Sequence, residues 1–535
     1  MSDLRFEDRM SDSDALMWTI EKDPLLRSTI TAVMVLDRAP DRDRFRHLLE
    51  RGTRLVPRMR QRVRSNPLSI APPRWEVDPN FDLGYHLRTV RAGGDRDLRA
   101  VLDLAQPMAM AGFDRARPLW EALVVEDLAD GGAAIIMKIH HAITDGVGAV
   151  QIAIVMFELE REASMGNLPD KPEAAVMSQS RRFVDAFEHE RRRNLGIAKR
   201  LPAVAAGAVN GIASDPVGSV RRFAETATSV GRLAAPAGNP MSPILTRRSL
   251  SVHFDTLVVP LGTAKAAARA AGAKLNDAFL AATAAGLRHY HLALGHPLDH
   301  VRLSMPINLR GADEGESTGN NFAPARFLIP TGIDDPVEAM VAMRALVAEQ
   351  RAEPALAVVE PMARVLNRLP TSVTTGLFGA MLRGVDVVAS NVPGAPIPIY
   401  TAGAEITAMF ALGPMAGAAV NATLLSYRDD LLIGVNMDPA AVADPDLFMA
   451  SYRDGWDEIL DAAPSARPDP PPPARKASAV RKKGSSPAKK SASPRTAVSA
   501  KRSAQTKPAA TKAARVTKTA QAKQAPALRR AVTKT

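Results

Sequence analysis

The 535-residue chain has no cysteine, which excludes disulfides, thiolate metal sites and a cysteine nucleophile. It also lacks an apolar opening. Asp3, Arg5, Glu7, Asp8 and Arg9 fall within the first ten residues, so no secretory signal peptide is expected there and the cytoplasm is the expected compartment. Nor is there an unbroken membrane-spanning run. Ile406 to Tyr427 carries no charge, but Gly413-Pro414, Gly417 and Asn421 interrupt it, whereas a spanning helix needs about 20 mostly apolar residues. Strand, loop, strand is the expectation for that stretch. No internal repeat is evident.

Acidic residues are almost missing from one segment. From Ala466 to Thr535 there are 19 Lys plus Arg against a single acid, Asp469, and no aromatic residue. That tail carries +18 and the remainder −6, so the overall charge of +12 belongs to the tail. It opens on Pro470-Pro471-Pro472-Pro473. It cannot bury enough apolar surface to fold and is expected to be disordered. One reading is a solubilising extension. The other is attraction to a polyanion, either anionic lipid or nucleic acid.

The rest is long enough for two domains, and apolar residues, 46% of the chain, can supply their cores. The expected divisions are a first domain at 1–165, basic crossover helices at 166–245, a second domain at 246–465 and the tail at 466–535. In the crossover, Arg181-Arg182, Arg191-Arg192-Arg193, Lys199-Arg200 and Arg221-Arg222 alternate with Phe183, Phe187, Leu195, Ile197 and Leu201. A crossover helix with one wet face accounts for this pattern, and so does a helix lying on a membrane surface. Arg247 to Phe254 alternates like a strand and should open the second domain.

The most informative run is Ile135-Ile136-Met137-Lys138-Ile139-His140-His141-Ala142-Ile143-Thr144-Asp145-Gly146. Ala133 to Ile139 reads as a mostly buried strand, Asp145-Gly146 as a turn, and Val147 to Leu159 as a buried helix. Imidazoles at a strand end, with a carboxylate nearby, suit a fixed base that takes a proton from a hydroxyl and returns it to a leaving group. Two core histidines bonded to backbone carbonyls are the plain alternative. Neighbours on a strand point to opposite faces, so one shared metal ion is not expected.

This run resembles the HHxxxDG signature of CoA-dependent acyltransferases, a superfamily that includes the condensation domains of peptide synthetases. Further blocks resemble its bacterial wax ester synthase/diacylglycerol acyltransferase branch. They are Ser13 to Trp18, Phe81 to Arg88, Asp114-Arg115-Ala116-Arg117-Pro118-Leu119-Trp120-Glu121, Leu275-Asn276-Asp277-Ala278, Gly319-Asn320-Asn321 and Ser390-Asn391-Val392-Pro393-Gly394. The likeness spans about Met10 to Leu460.

The resemblance implies an α/β, two-domain, chloramphenicol-acetyltransferase-like sandwich of mixed sheets with helices and an active-site channel between the halves. It also implies direct transfer from a long-chain acyl-CoA, as substrate rather than cofactor, to diacylglycerol or a long-chain alcohol. His141 would be the general base, with His140 supporting the geometry. Asp145 would orient the loop and Gly146 permit its turn. Neither a cofactor nor a metal is expected. A lipid enzyme of this kind would sit at the inner membrane face or on lipid inclusions. A related acyltransferase with another hydroxyl acceptor, or a non-catalytic paralogue that binds lipid or CoA, would share these features.

Asn276 and Asp277 precede an expected helix, Ala278 to Tyr290. One of them suits an N-cap, while the resemblance turns Asn276 toward the channel. Pro393-Gly394 is expected first to form a turn, and Ser390, Asn391, Pro393 and Gly394 secondarily to line the channel. The Pro118-Leu119-Trp120 block reads as packing. Gly315-Glu316-Ser317-Thr318-Gly319 matches the G-x-S-x-G pattern of α/β-hydrolases. It lies in a polar run without the strand and helix that a nucleophile elbow requires.

Overall fold

A computed structural model describes residues 8–66, 71–143, 155–215, 238–308, 322–352, 359–382 and 384–463, with Ile152 and a few isolated positions after 215. Two six-stranded sheets, with helices packed on them, carry the architecture. The first runs in the order β11 (Tyr400–Thr401), β12 (Ala404–Leu412), β1 (Thr29–Leu36), β6 (Ala133–His140), β5 (Trp120–Glu126), β4 (Leu87–Arg91). The second runs β7 (His253–Pro260), β14 (Asp430–Met437), β13 (Val420–Tyr427), β10 (Val387–Val392), β8 (His300–Asn308), β9 (Phe322–Pro330). A small hairpin, β2 (Gln61–Arg64) with β3 (Arg74–Val77), stands apart. Both large sheets mix parallel and antiparallel pairs. This is the α/β sandwich of mixed sheets expected from the resemblance.

β6 shows why the sequence folds this way. It is central, antiparallel to both β1 and β5, and covered on both faces. A strand buried on two sides needs an apolar residue at nearly every position, and Ala133 to Met137 are all buried. Ala133, Ile135 and Met137 enter the core of the first half. Ala134 and Ile136 face a smaller core with Val101, Leu102, Leu412 and Phe254. That second core ties the halves together. The helix Leu98–Met110 reaches across to β7, where Arg99 Nη1 donates to the Phe254 carbonyl at 2.7 Å and Phe254 N–H donates to Gln106 Oε1 at 2.8 Å.

Ile406 to Tyr427 is strand, loop, strand, but its two strands do not share a sheet. The family resemblance implies the core sheet of the second domain for the whole stretch. β12 instead pairs antiparallel with β1 in the first sheet, and only β13 joins the second. The Gly413-Pro414 break lets the chain change sheets. Where β12 passes β14, a Cβ on Gly434 would lie 2.2 Å from the Ala411 carbonyl oxygen, so only glycine fits this approach.

Two boundaries also differ from expectation. β7 starts at His253 rather than Arg247, and Ser249 before it is held by Asp438, which accepts its N–H at 2.5 Å and its hydroxyl at 2.6 Å. The helix expected from Ala278 to Tyr290 runs Leu275–Ala293. Within the basic crossover, one 36-residue helix spans Gln179–Ser214. Among the described residues, no helix is long and apolar enough to cross a membrane.

Candidate active site

The two histidines part company at the end of β6. His140 is the last residue of the strand and His141 begins a short 3-10 turn, His141–Ile143. His140 N–H donates to the Leu119 carbonyl at 3.0 Å, and His141 N–H donates to the Ser28 carbonyl at 2.8 Å. Both backbones are therefore fixed between β1 and the segment leading into β5. His140 is fully buried, whereas His141 keeps part of its surface accessible.

His140 has a defined set of partners. Ala142 N–H donates to its Nδ1 at 3.0 Å, so the neutral ring carries its proton on Nε2. That nitrogen lies 2.9 Å from Glu21 Oε1. Trp18 and Phe113 meet the ring edge-on, at 5.5 and 6.0 Å between centroids. Burial alone would raise the Glu21 carboxyl, but the His140 ring 2.9 Å away and the Ser28 N–H, which donates to Oε1 at 2.6 Å, together hold it below the usual carboxylate range. Glu21 follows the helix Asp12–Ile20, whose N-terminus is set by Ser11, its Oγ accepting Asp14 N–H at 3.0 Å. No motif announces Glu21. It lies far from His140 in the chain, and only the pairing of β1 with β6 brings the two together.

His141 is electrostatically distinct. Burial first, and then the His140 ring beside it, pushes its imidazole from an ordinary 6.5 down to about 4. It is therefore neutral at physiological pH, the form that accepts a proton. Glu21 acts in the opposite sense, favouring the imidazolium that proton acceptance would create.

Lys138, two residues earlier, is also buried. Its Nζ stands 3.3 Å from Glu121 Oε1 and 4.2 Å from the centre of the Phe113 ring. Burial lowers its pKa and Glu121 partly restores it. The block containing Glu121 serves packing. Trp120 is buried, stacks on His86 and donates from Nε1 to the Met59 carbonyl at 2.8 Å. A cleft opens between the halves beside these strands, walled by Arg27, Thr29 and Thr31 on one side and by Arg248, Asn436 and Asp438 on the other. Thr29 is the register partner of His140 on β1.

The residues expected from the second half are placed as follows. Neither Asn276 nor Asp277 is an N-cap. Lys274 holds that position, and Asp277, at the third helical residue and buried, accepts the Lys274 N–H at 2.8 Å. The acid thus satisfies the helix entrance from inside. Asn276 is half-buried, with Nδ2 3.6 Å from Met305 Sδ. Ser390 and Asn391 lie on β10 opposite Thr423 and Leu424. Pro393 and Gly394 are exposed after the strand. Gly394 N–H donates to Ser426 Oγ at 3.2 Å, and a Cβ there would lie 2.0 Å from the Ser426 carbonyl oxygen. Asp145, Gly146, most of the expected helix Val147 to Leu159, Ser317, the Gly319-Asn320-Asn321 block and the tail lie outside the described residues.

The model of the wax ester synthase/diacylglycerol acyltransferase catalytic domain matches residues 10–279, and that of the family's C-terminal domain matches 318–459. The chain belongs to this family. It is an acyl-CoA acyltransferase of the wax ester synthase/diacylglycerol acyltransferase type. A Mycobacterium tuberculosis protein named as a diacylglycerol O-acyltransferase is 37% identical over 465 residues, covering 87% of this chain and 94% of its own. Among solved structures, the wax ester synthase/diacylglycerol acyltransferase of Marinobacter aquaeolei VT8 shares the fold with a TM-score of 0.57 at 20% identity, over 85% of this chain and all of that one. A starter condensation domain of rhizomide synthetase, solved with C8-CoA, has a TM-score of 0.51 at 13% identity, over 85% of this chain and 94% of its own.

Proposed function

We propose that this acyltransferase moves the acyl group of a long-chain acyl-CoA to the hydroxyl of diacylglycerol, forming triacylglycerol, and that long-chain alcohols serve as further acceptors, giving wax esters. The diacylglycerol O-acyltransferase name of the M. tuberculosis relative supports this choice of acceptor. The observation that carries the chemistry is His141, neutral, partly accessible and fixed at the end of β6.

A ring nitrogen of His141 takes the proton of the acceptor hydroxyl as its oxygen bonds to the thioester carbonyl carbon. The tetrahedral intermediate collapses, the carbon–sulfur bond breaks, and the imidazolium returns its proton to the departing CoA thiolate. The products are an ester and free CoA. His140 holds the geometry: its Nδ1 fixes the Ala142 N–H, and its Nε2 faces Glu21. Glu21 favours the imidazolium while it lasts. Holding both substrates beside one base contributes several kcal/mol without a covalent intermediate. Asn276, with the Ser390, Asn391, Pro393 and Gly394 segment, borders the second half's side of the channel.

The enzyme works at a lipid surface. On the outward face of the helix Gln179–Ser214, Phe183, Val184, Phe187 and Leu195 are exposed, flanked by exposed Arg181, Arg191 and Arg192. Apolar groups beside cations suit the interface of an anionic membrane or lipid inclusion. The +18 tail adds attraction of the same sign, and nucleic acid is its other possible partner.

The test is purified protein with radiolabelled palmitoyl-CoA, offered diacylglycerol and hexadecanol separately, with products resolved by chromatography. Labelled triacylglycerol supports the reading. Transfer to hexadecanol alone moves the assignment to wax esters. Binding without any product leaves a non-catalytic paralogue.

A further inference from the structure

We infer that a cationic cleft beside the His140–Glu21 pair, separate from the one between the sheets, binds the phosphate of a substrate. It has about 750 Å³ of space, part of it open to solvent. Its walls come from segments distant in sequence: the first helix, the turn before Pro118, the long crossover helix and the residues around Arg364.

Charge is the first argument. Lys22, Arg115, Arg193, Arg364 and Arg368 face the cleft against only two acids, Asp12 and Glu190. Both acids are already engaged. Asp12 pairs with Arg193 and, at 3.2 Å, with Arg364. Glu190 pairs with Arg368 at 2.5 Å and with Arg193 at 3.5 Å. Lys22 and Arg115 have no carboxylate partner among the described residues, and three positive charges remain in excess. A recess lined mainly by one sign concentrates its field and attracts the opposite charge, and guanidinium groups match phosphate oxygens in geometry.

Unused acceptors are the second argument. Asn66 and Asn367 both line this cleft, and the buried Oδ1 of each has no hydrogen-bond partner among the described residues. Their orientations are fixed. Asn66 Nδ2 donates to the Ala71 and Pro72 carbonyls at 2.7 and 2.8 Å, and Asn367 Nδ2 donates to the Asp12 carbonyl at 2.7 Å. Buried acceptors are rarely left unpaired. A ligand with hydroxyl or N–H donors near its phosphate satisfies both the cations and the two amide oxygens.

Position is the third. Trp18 lines the cleft with one part of its ring, which Arg115 covers at 4.2 Å, and meets His140 with another. The charge of Arg115 also reaches Glu21. A phosphate held here is one aromatic ring away from the His140–Glu21 pair that supports the proposed base, His141. The nucleotide end of CoA and the headgroup of a glycerophospholipid both offer a phosphate with adjacent donors. This inference rests on the acyl-transfer reading for the identity of its ligand but not for the existence of the site.

The experiment is calorimetric titration of the full-length protein with adenosine 3′,5′-bisphosphate and, separately, sn-glycerol 3-phosphate, repeated on the triple variant Lys22→Gln, Arg115→Gln, Arg368→Gln. These side chains are surface-accessible, and a thermal melt confirms that the variant folds. At least one probe should bind the unaltered protein, weaken with added salt, and bind the variant at least about tenfold less tightly. Binding of the bisphosphate assigns the cleft to CoA, and binding of glycerol 3-phosphate alone assigns it to lipid. If neither probe binds, or both bind the variant as tightly as the unaltered protein, the inference is overturned. Palmitoyl transfer measured on the same samples separates the two readings, since probe binding without transfer leaves the cleft standing and removes the enzyme reaction.

Discussion

Lowering the pH should leave acyl transfer intact well below the range in which an ordinary histidine titrates. Burial and His140 together place the His141 imidazole at about 4 instead of 6.5. At pH 5 a base titrating at about 4 is about 90% neutral, whereas one at 6.5 is only about 3% neutral. Plotted against pH, kcat/KM should therefore lie within about 10% of its plateau at pH 5 and fall below that with an inflection near 4. An unperturbed histidine would already have lost about thirtyfold. Labelled palmitoyl-CoA with a short, soluble alcohol gives the profile without changes at a lipid surface. An inflection near 6.5 would refute the assigned environment of His141. The sign for stability agrees. Because the folded state disfavours protonation of His141, its contribution is complete above about 6.5 and is lost as pH falls through about 4. The full span is worth up to about 3 kcal/mol.

Other perturbations follow from the same geometry. Glu21→Gln removes the carboxylate facing His140 and should cost about 2 kcal/mol in chemical denaturation. It should also move the kcat/KM inflection further down, since Glu21 favours the His141 imidazolium; an unchanged profile would remove Glu21 from the site. The carboxylate's own contribution is present above about 4.5 and lost below it, because its folded pKa is depressed. Gly434→Ala forces a methyl group against the Ala411 carbonyl and should lower stability by about 1–3 kcal/mol, whereas an equal melting temperature would show that β12 and β14 cross less closely. The double substitution Phe183→Ser, Phe187→Ser should weaken sedimentation with phosphatidylglycerol vesicles by at least about tenfold while sparing transfer to a soluble alcohol. Undiminished sedimentation would dismiss that helix face as the lipid contact.

Much of the local structure was legible because short-range pattern determines it. The apolar run Ala133 to Ile139 reads as a mostly buried strand, and β6 is one, ending a residue later at His140. The break at Gly413-Pro414 separates two strands as the residues suggest. What escaped reading was long-range pairing. Nothing in Ala404 to Leu412 says that β1, rather than β13, will be its neighbour, since either partner satisfies its backbone and covers its faces. The cap of the helix Leu275–Ala293 was misplaced for a subtler reason. Asp277 has the chemistry of a cap residue but serves from the third helical position, where its carboxylate reaches back to Lys274. Glu21 was invisible because its role depends on a contact formed only after β1 and β6 pair. The phosphate cleft was hidden for the same reason, being assembled from segments that no linear window contains.

Replacing His141 with alanine tests the account most directly, with turnover of palmitoyl-CoA and diacylglycerol measured beside a thermal melt. Transfer should fall by about 10²–10⁴-fold while the melting temperature stays close to that of the unaltered protein. A folded variant that still makes triacylglycerol at the original rate would contradict the assignment of this imidazole as the base.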